Sequence, residues 1–434
     1  MSALEEGKEV IKSIIKLLHS GVSVDELKSK YGNILSKISP MEIPVIEQEL
    51  VKEGMSIRDI LSLCDLHVAL FRENLAAREL KGIPKGHPVD LLMRENEVIV
   101  RLAEALSVYA QSLTKAEGEE GKNFLESMES LVKELKRVRL HYRKNQMLIF
   151  PYLERRGITA VPRVLWDRED QVISKIRELE GLMDGAKDGG EERLAEIYSK
   201  SMEVSQEVMD LVFRENKVLY PASWALLSEG EWAAVHEIAK EIGYIIEVED
   251  GWSPKEGPIY PYQVEGVIGE EQVRMLPAEF RAATGSISPD TYEVRREGDI
   301  ELSTGFLNVK ELEGIVRSLP LELTFADAND RVRFYSESLF RKGFMRTKTI
   351  LGRRLQFCHP PRLENYVMLN VNKIRSGEIP YREFWTKLGE RIIRVIVVGV
   401  RDEEGNYLGA LEVVEDLTEV LNNPEEVKKR IVVL

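Results

Sequence analysis

Cysteine, histidine and long apolar runs are scarce in this 434-residue chain, and each scarcity closes off a class of protein. Two cysteines, Cys64 and Cys358, cannot build a disulfide framework and suit a reducing compartment. No stretch approaches the roughly 20 consecutive apolar residues of a membrane span, so no membrane partner is expected. The opening MSALEEGKEV lacks a basic segment followed by an apolar run, which predicts no export signal and a cytoplasmic location. Basic charge is also short: 60 Lys and Arg stand against 74 Asp and Glu, a formal net charge of −14. Duplex nucleic acid needs a net basic face, so it is not an expected partner. Phosphate-binding and dinucleotide fingerprints, a nucleophile elbow and a kinase motif set are all missing, so no enzymatic activity is expected. Any metal or haem site must draw on carboxylates, the two thiols and six histidines: His19, His67, His87, His141, His236 and His359.

The length implies two to four domains, and 43% hydrophobic with 31% charged residues fits a soluble globular protein. Residues 1–82 read as short helices: IKSIIKLLHSG stops at Gly21, and Ser56 caps a helix that ends at Gly82. Residues 83–247 carry long helical patterns: Pro88 to about Leu113, Phe124–Phe150, Leu165–Met183 and Glu191–Leu219, then a short helix over Glu229–Ile242. Short polar connections between them favour an antiparallel bundle. Residues 248–305 are rich in proline and glycine; GWSPKEGPIYPY excludes a helix and predicts a linker or ordered loop. From residue 306 the period changes. Asn308 and Glu311 have capping-box spacing. LELTFAD and RVRFYSE alternate like strands around the turn Ala328–Asn329–Asp330. After short helical segments, YREFWTKL, RIIRVIVVGVRD and YLGALEVVEDLT read as three more strands, the last two joined by the hairpin text EEGN.

Strand, hairpin, helices and three strands, ending in VRDEEGNYLGALEVVEDLTE, resemble a PAS domain over about Gly305–Val420. Upstream, GHPVDLLMRENEV, HYRKNQMLIFPYLERRGI and FRENKVLYPASWALLSEGEW are similar to the hemerythrin-like, HHE cation-binding bundle. The text from HSGVSVDELKSKYG to IRDILSLCDLH resembles an uncharacterised helical family that commonly precedes those two modules. The implied fold class is multidomain. An all-α N-terminal region with a hemerythrin-like four-helix bundle precedes an α+β PAS domain (306–434) with a five-stranded antiparallel sheet.

The bundle resemblance implies a metal site on His87, Asp90, His141 and Glu215, with His67 a further candidate beside Cys64. The family pattern is incomplete here. Asp90 replaces a second histidine, Asn145 and Gln146 stand where carboxylates are expected, and Leu211 replaces a histidine ten residues before Pro221. Asp still offers an oxygen donor, but neutral amides are poor bridges between cations and Leu is no ligand. Three readings stand: a di-iron centre, a mononuclear site for iron or another divalent metal, or a bundle that keeps its fold without metal. In the PAS region, Cys358 and His359 before a double proline, with Tyr335 and Trp385, are the candidates for contacting a cavity ligand (haem, flavin or a small metabolite). Phe325, Phe334, Val367, Phe384, Val395, Val397 and Leu411 would line a core or that cavity. The implied function is a signal-sensing regulator, detecting a small molecule, a gas or redox state and acting through a partner protein. A non-haem iron protein binding oxygen or nitric oxide is one alternative, and an interaction scaffold is the other. The amphipathic stretch Val309–Leu319, with Leu312, Ile315, Val316 and Leu319 on one face, predicts a homodimer.

Overall fold

Pro88 opens the first long helix because its missing N–H is no loss at a helix start. In the computed structural model this helix, α1 (Pro88–Leu113), is capped by His87, whose Nδ1 accepts the Val89 N–H at 3.2 Å. Its buried stripe runs Leu92, Asn96, Ile99, Ala103, Leu106, Ala110 and Leu113, in alternating steps of four and three residues. The structure describes residues 80–116, 118–184, 191–249, 251–267, 288–338 and 344–432, with scattered positions between Val10 and Tyr31. The expectations for the helices of 1–82, including Cys64 and His67, therefore lie almost wholly outside the described residues.

The second arm of the bundle is α2 (Gly118–Leu135), α3 (Val138–Lys144) and α4 (Phe150–Arg155). The third is α5 (Ala160–Asp184), and the fourth is α6 (Glu191–Arg214) with α7 (Tyr220–Leu226). A last helix, α8 (Glu229–Ile242), starts on a capping box between Ser228 and Glu231. α1 and α5 each pack against both α2 and α6, so the four arms close a ring around one core. Two π-helical turns, Asn145–Ile149 and Glu215–Leu219, interrupt the second and fourth arms. Each comes just before a helix with proline in its first turn, Pro151 and Pro221. A proline ring crowds the carbonyl four residues back and offers no N–H; widening the preceding turn relieves both problems. The widened turns begin on Asn145 and Glu215, both fully buried.

After α8 the chain forms a strap on the bundle, the ordered-loop form of the two readings open for this stretch. Backbone without helical or sheet partners must find others, and here the bundle provides them. Trp252 N donates to Lys85 O at 2.8 Å, Ile259 N to Gly230 O at 2.9 Å, and Asp290 N to Arg155 O at 3.0 Å. Tyr152 Oη donates to Ile259 O and Arg155 Nε to Val264 O, both at 2.7 Å. Gly86 and Gly251 let backbone meet backbone: a Cβ on Gly86 would lie 2.8 Å from Gly251 Cα. The chain divides into two units at Glu293 and Val294.

In the second unit, hairpin strands β1 (Ile300–Leu302) and β2 (Gly305–Leu307) precede α9 (Val309–Ser318), which carries the Asn308–Glu311 capping box. Strands β3 (Glu322–Asp327), β4 (Val332–Tyr335), β5 (Tyr381–Leu388), β6 (Arg391–Arg401) and β7 (Tyr407–Asp416) form one antiparallel sheet. Its order is β4-β3-β7-β6-β5. The β3–β4 turn works as expected: Asp327 Oδ1 accepts from the N–H groups of Asn329 and Arg331, and Asp330 takes φ 58°. α10 (Pro361–Ser376) covers one face, with Val371 and Ile374 buried. The expected α+β unit with five antiparallel strands is present. Register corrects the expected lining, however. Phe384, Val395, Val414 and Glu322 are successive cross-strand partners on the α10 side. Phe325, paired with Phe334 and Leu411, is three residues from Glu322 and so faces the other side.

Candidate functional site

Four bundle arms each place a polar residue on an otherwise apolar stripe at one level. α1 gives Glu95 and Asn96, α3 gives His141 and Lys144, α5 gives Glu169, and the two π-turns give Asn145 and Glu215; all are buried. His141 lies between two carboxylates: Nδ1 is 2.8 Å from Glu95 Oε2 and Nε2 is 2.9 Å from Glu215 Oε2. Lys144 Nζ donates to Glu95 Oε1 at 2.6 Å. Asn96 Nδ2 donates to Glu215 Oε2 at 2.8 Å, and Asn145 Nδ2 to Glu215 Oε1 at 3.1 Å. Gln146 Nε2 donates to Glu169 Oε2 at 2.7 Å. Tyr220 Oη lies 3.2 Å from His141 Nε2.

Burial alone would drive His141 neutral, but Glu215 and Glu95 outweigh it and raise its pKa to about 9, so it is an imidazolium at neutral pH. Burial would raise Glu95, yet His141 and Lys144 hold it below the ordinary carboxyl range. Burial lowers the Lys144 ammonium, against the pull of Glu95. Glu169 is pushed well above the ordinary range, by burial first and then by the nearby Glu215 charge.

This donor set does not fit iron or another divalent metal. Both imidazole nitrogens face carboxylates, an ammonium sits against Glu95, and two amides aim N–H groups where a metal needs lone pairs. Among the described residues no group of three or more His, Cys, Asp or Glu is arranged to hold a metal ion. Of the expected ligands the structure brings together His141 and Glu215 and separates the other two described ones. His87 lies eight residues before Glu95 on the same helix, about 12 Å along its axis. Its ring sits among Trp224, Trp232 and Trp252 at centroid distances of 4.9, 4.9 and 4.5 Å. Burial, and then His236, lowers its pKa to about 4, and its Nδ1 is used by the helix cap. Asp90 accepts the Gly86 N–H at 2.9 Å. Sequence reasoning missed Glu95, Lys144, Glu169 and Tyr220. The signal was there for Glu169: it stands four residues after Leu165 and three before Val172, a charge in an apolar slot.

On the α10 side of the sheet, Arg346 reaches from the segment after β4 to three inner-face residues. Its guanidinium donates to Glu322 Oε2 and Glu412 Oε1, each at 2.6 Å, and to Thr324 Oγ1. Arg346 and Glu322 are almost fully buried and Glu412 partly so. Tyr335 pairs across the ladder with Thr324 and shares this row. His359 is half-buried and donates from Nδ1 to Leu355 O at 3.0 Å, while Cys358 is exposed. Trp385 departs from expectation: it neighbours Phe384 in β5, so it faces the opposite side, and it is 51% exposed.

Residues 11–77 match the family model described as a family of unknown function (DUF438). Residues 87–223 match the hemerythrin HHE cation binding domain, and residues 312–418 match a PAS domain. The three modules follow one another in the order read from the sequence. No curated protein matches the chain. Among solved structures, the C-terminal domain of a Streptococcus mutans protein is 28% identical, covering 30% of this chain and 98% of its own, with a TM-score of 0.28. The PAS domain of a Colwellia psychrerythraea protein is 14% identical over 26% of this chain and 98% of its own, with a TM-score of 0.21. A sensory box sensor histidine kinase from Vibrio cholerae is 13% identical over 25% of this chain and 90% of its own, with a TM-score of 0.20.

Proposed function

We propose that this chain is a signal-sensing regulator whose PAS domain takes a small molecule on the α10 side of its sheet and passes the response to a partner protein. One observation carries the reading: Arg346, tied to Glu322, Thr324 and Glu412, forms a largely buried ionic cluster beside the apolar group of Ile393, Val395 and Val414. A buried ion pair gains little over well-packed apolar side chains, so its place here argues for a device that something else can rearrange. A ligand shifts an equilibrium only by binding two arrangements unequally. A carboxylate or phosphate group entering beside Tyr335 would compete with Glu412 for one side of the guanidinium fork. That exchange moves the segment carrying Arg346, which leads through Leu355–Cys358 into α10. Outward transmission uses apolar surface: Leu312 and Ile315 on α9 are 41% and 47% exposed, and they form the proposed homodimer contact.

The experiment is native mass spectrometry of the full chain, followed by identification of any small molecule released on denaturation. Thermal shift with haem, flavin mononucleotide, nucleotides and dicarboxylates accompanies it. The expected result is a retained or stabilising molecule whose effect disappears in Arg346→Met. No retained molecule, and no shift with any of these compounds, would remove the reading.

A further inference from the structure

Lys144 stands where the centre of the bundle meets the chain leaving it. Its Nζ donates inward to Glu95 Oε1 at 2.6 Å and outward to Gly243 O at 2.8 Å. The same ammonium lies 4.3 Å from the centroid of the Tyr244 ring. Glu95 reaches outward as well, accepting the Ile245 N–H on Oε1 at 2.8 Å. Three consecutive strap residues, Gly243, Tyr244 and Ile245, therefore touch the charge centre of the bundle. Gly243 makes this possible: it ends α8 at φ 88°, a conformation that side chains disfavour, and turns the chain back onto the bundle.

We infer that Lys144 supplies from within the chain positive charge that a metal-binding bundle takes from its ions, and uses it to fasten the strap. The donor set described above excludes a metal, yet the buried carboxylates of Glu95 and Glu215 still need positive charge beside them. Lys144 places an ammonium 2.6 Å from Glu95 Oε1. An ammonium has three N–H donors, so it can hold a carboxylate and a backbone carbonyl at once. The centre is thereby a metal-independent anchor for the segment that leads on toward Val294. This is separate from ligand binding on the sheet, and either can fail without the other.

The test is hydrogen–deuterium exchange of the full chain and of Lys144→Met, with melting curves of the wild type in EDTA and in added Fe²⁺, Mn²⁺ or Zn²⁺. The expected wild-type midpoint is the same in chelator and in each metal. In Lys144→Met, amides 244–249 should exchange markedly faster, while those near Leu106–Leu113 at the far end of α1 keep their protection. Should Lys144→Met fail to fold, Tyr244→Leu decides: it leaves the Lys144–Glu95 pair intact and should still speed exchange of 244–249. A wild-type midpoint that moves several degrees with metal or chelator would overturn the inference. So would strap amides that exchange at wild-type rates in the variant that is read.

Discussion

Lys144→Met is the sharpest perturbation of the bundle. Methionine keeps most of the length and apolar stem of lysine, so the change removes a charge more than a volume. Removing one partner of a buried ion pair costs about 3–5 kcal/mol, because the other is left uncompensated. Glu95 keeps the His141 ring at 2.8 Å and the Ile245 N–H at 2.8 Å, which puts the expected loss at the lower end, about 3 kcal/mol. For a unit of this size that is roughly 6–12 °C in midpoint, at about 2–4 °C per kcal/mol. Adding Glu95→Gln removes the stranded charge while keeping a carbonyl oxygen for Ile245. The double variant should recover about 1 kcal/mol or more over Lys144→Met alone. The assay is chemical and thermal unfolding of the four proteins of this cycle, followed by circular dichroism at 222 nm, the usual helix band. A single variant within about 0.5 kcal/mol of wild type, or a cycle with no coupling, would refute the charge-centre argument.

Four other outcomes follow, two in the bundle and two in the sheet unit. His141 is raised from 6.5 to about 9, so its stabilising charge is fully present below about pH 6.5 and lost as pH rises through about 9. The stability gap between wild type and His141→Gln, from urea unfolding, should therefore narrow between about pH 6 and about pH 10. Glu169 is raised, so its burial favours the fold at low pH and that advantage fades as pH climbs above 4.5; Glu169→Gln should gain about 1 kcal/mol at about pH 7 in the same assay. On the sheet side, His359→Ala should lower stability by no more than about 1 kcal/mol, the worth of its bond to Leu355 O, while weakening any ligand-induced thermal shift more strongly. For assembly, light scattering should give a dimer for the wild type and a smaller mass for Leu312→Glu/Ile315→Glu; a wild-type monomer at micromolar concentration ends that proposal.

The bundle arms and the five strands were legible because their apolar residues keep strict periods, as in Leu92 to Leu113 or the alternation of Ile393, Val395 and Val397. The capping box at Asn308 and the turn at Asp330 were legible because those residue types serve few other backbone geometries. Faces were harder. Phe325 and Phe384 look alike in sequence, and only cross-strand register shows that they point to opposite sides. The site was half legible. His141 and Glu215 are marked by their spacing to Pro151 and Pro221, and the π-turns before those prolines aim the widened turns inward. His87 misled because the text around it matches a ligand motif while its ring serves as a helix cap among tryptophans. Lys144 was invisible in the sequence, since a lysine next to Arg143 reads as surface charge until a structure buries it. Arg346 was missed because its partners, Glu322 and Glu412, are 90 residues apart and meet only through the pairing of β3 with β7.

The central claim is that the hemerythrin-type bundle is held by its own charges. It is tested most directly by metal analysis and an absorption spectrum of the full chain, made in iron-rich medium and purified without oxygen. The account predicts a metal content far below one ion per chain and no oxo-bridged iron bands on exposure to air. Stoichiometric iron, one or two ions per chain with those bands, would contradict it.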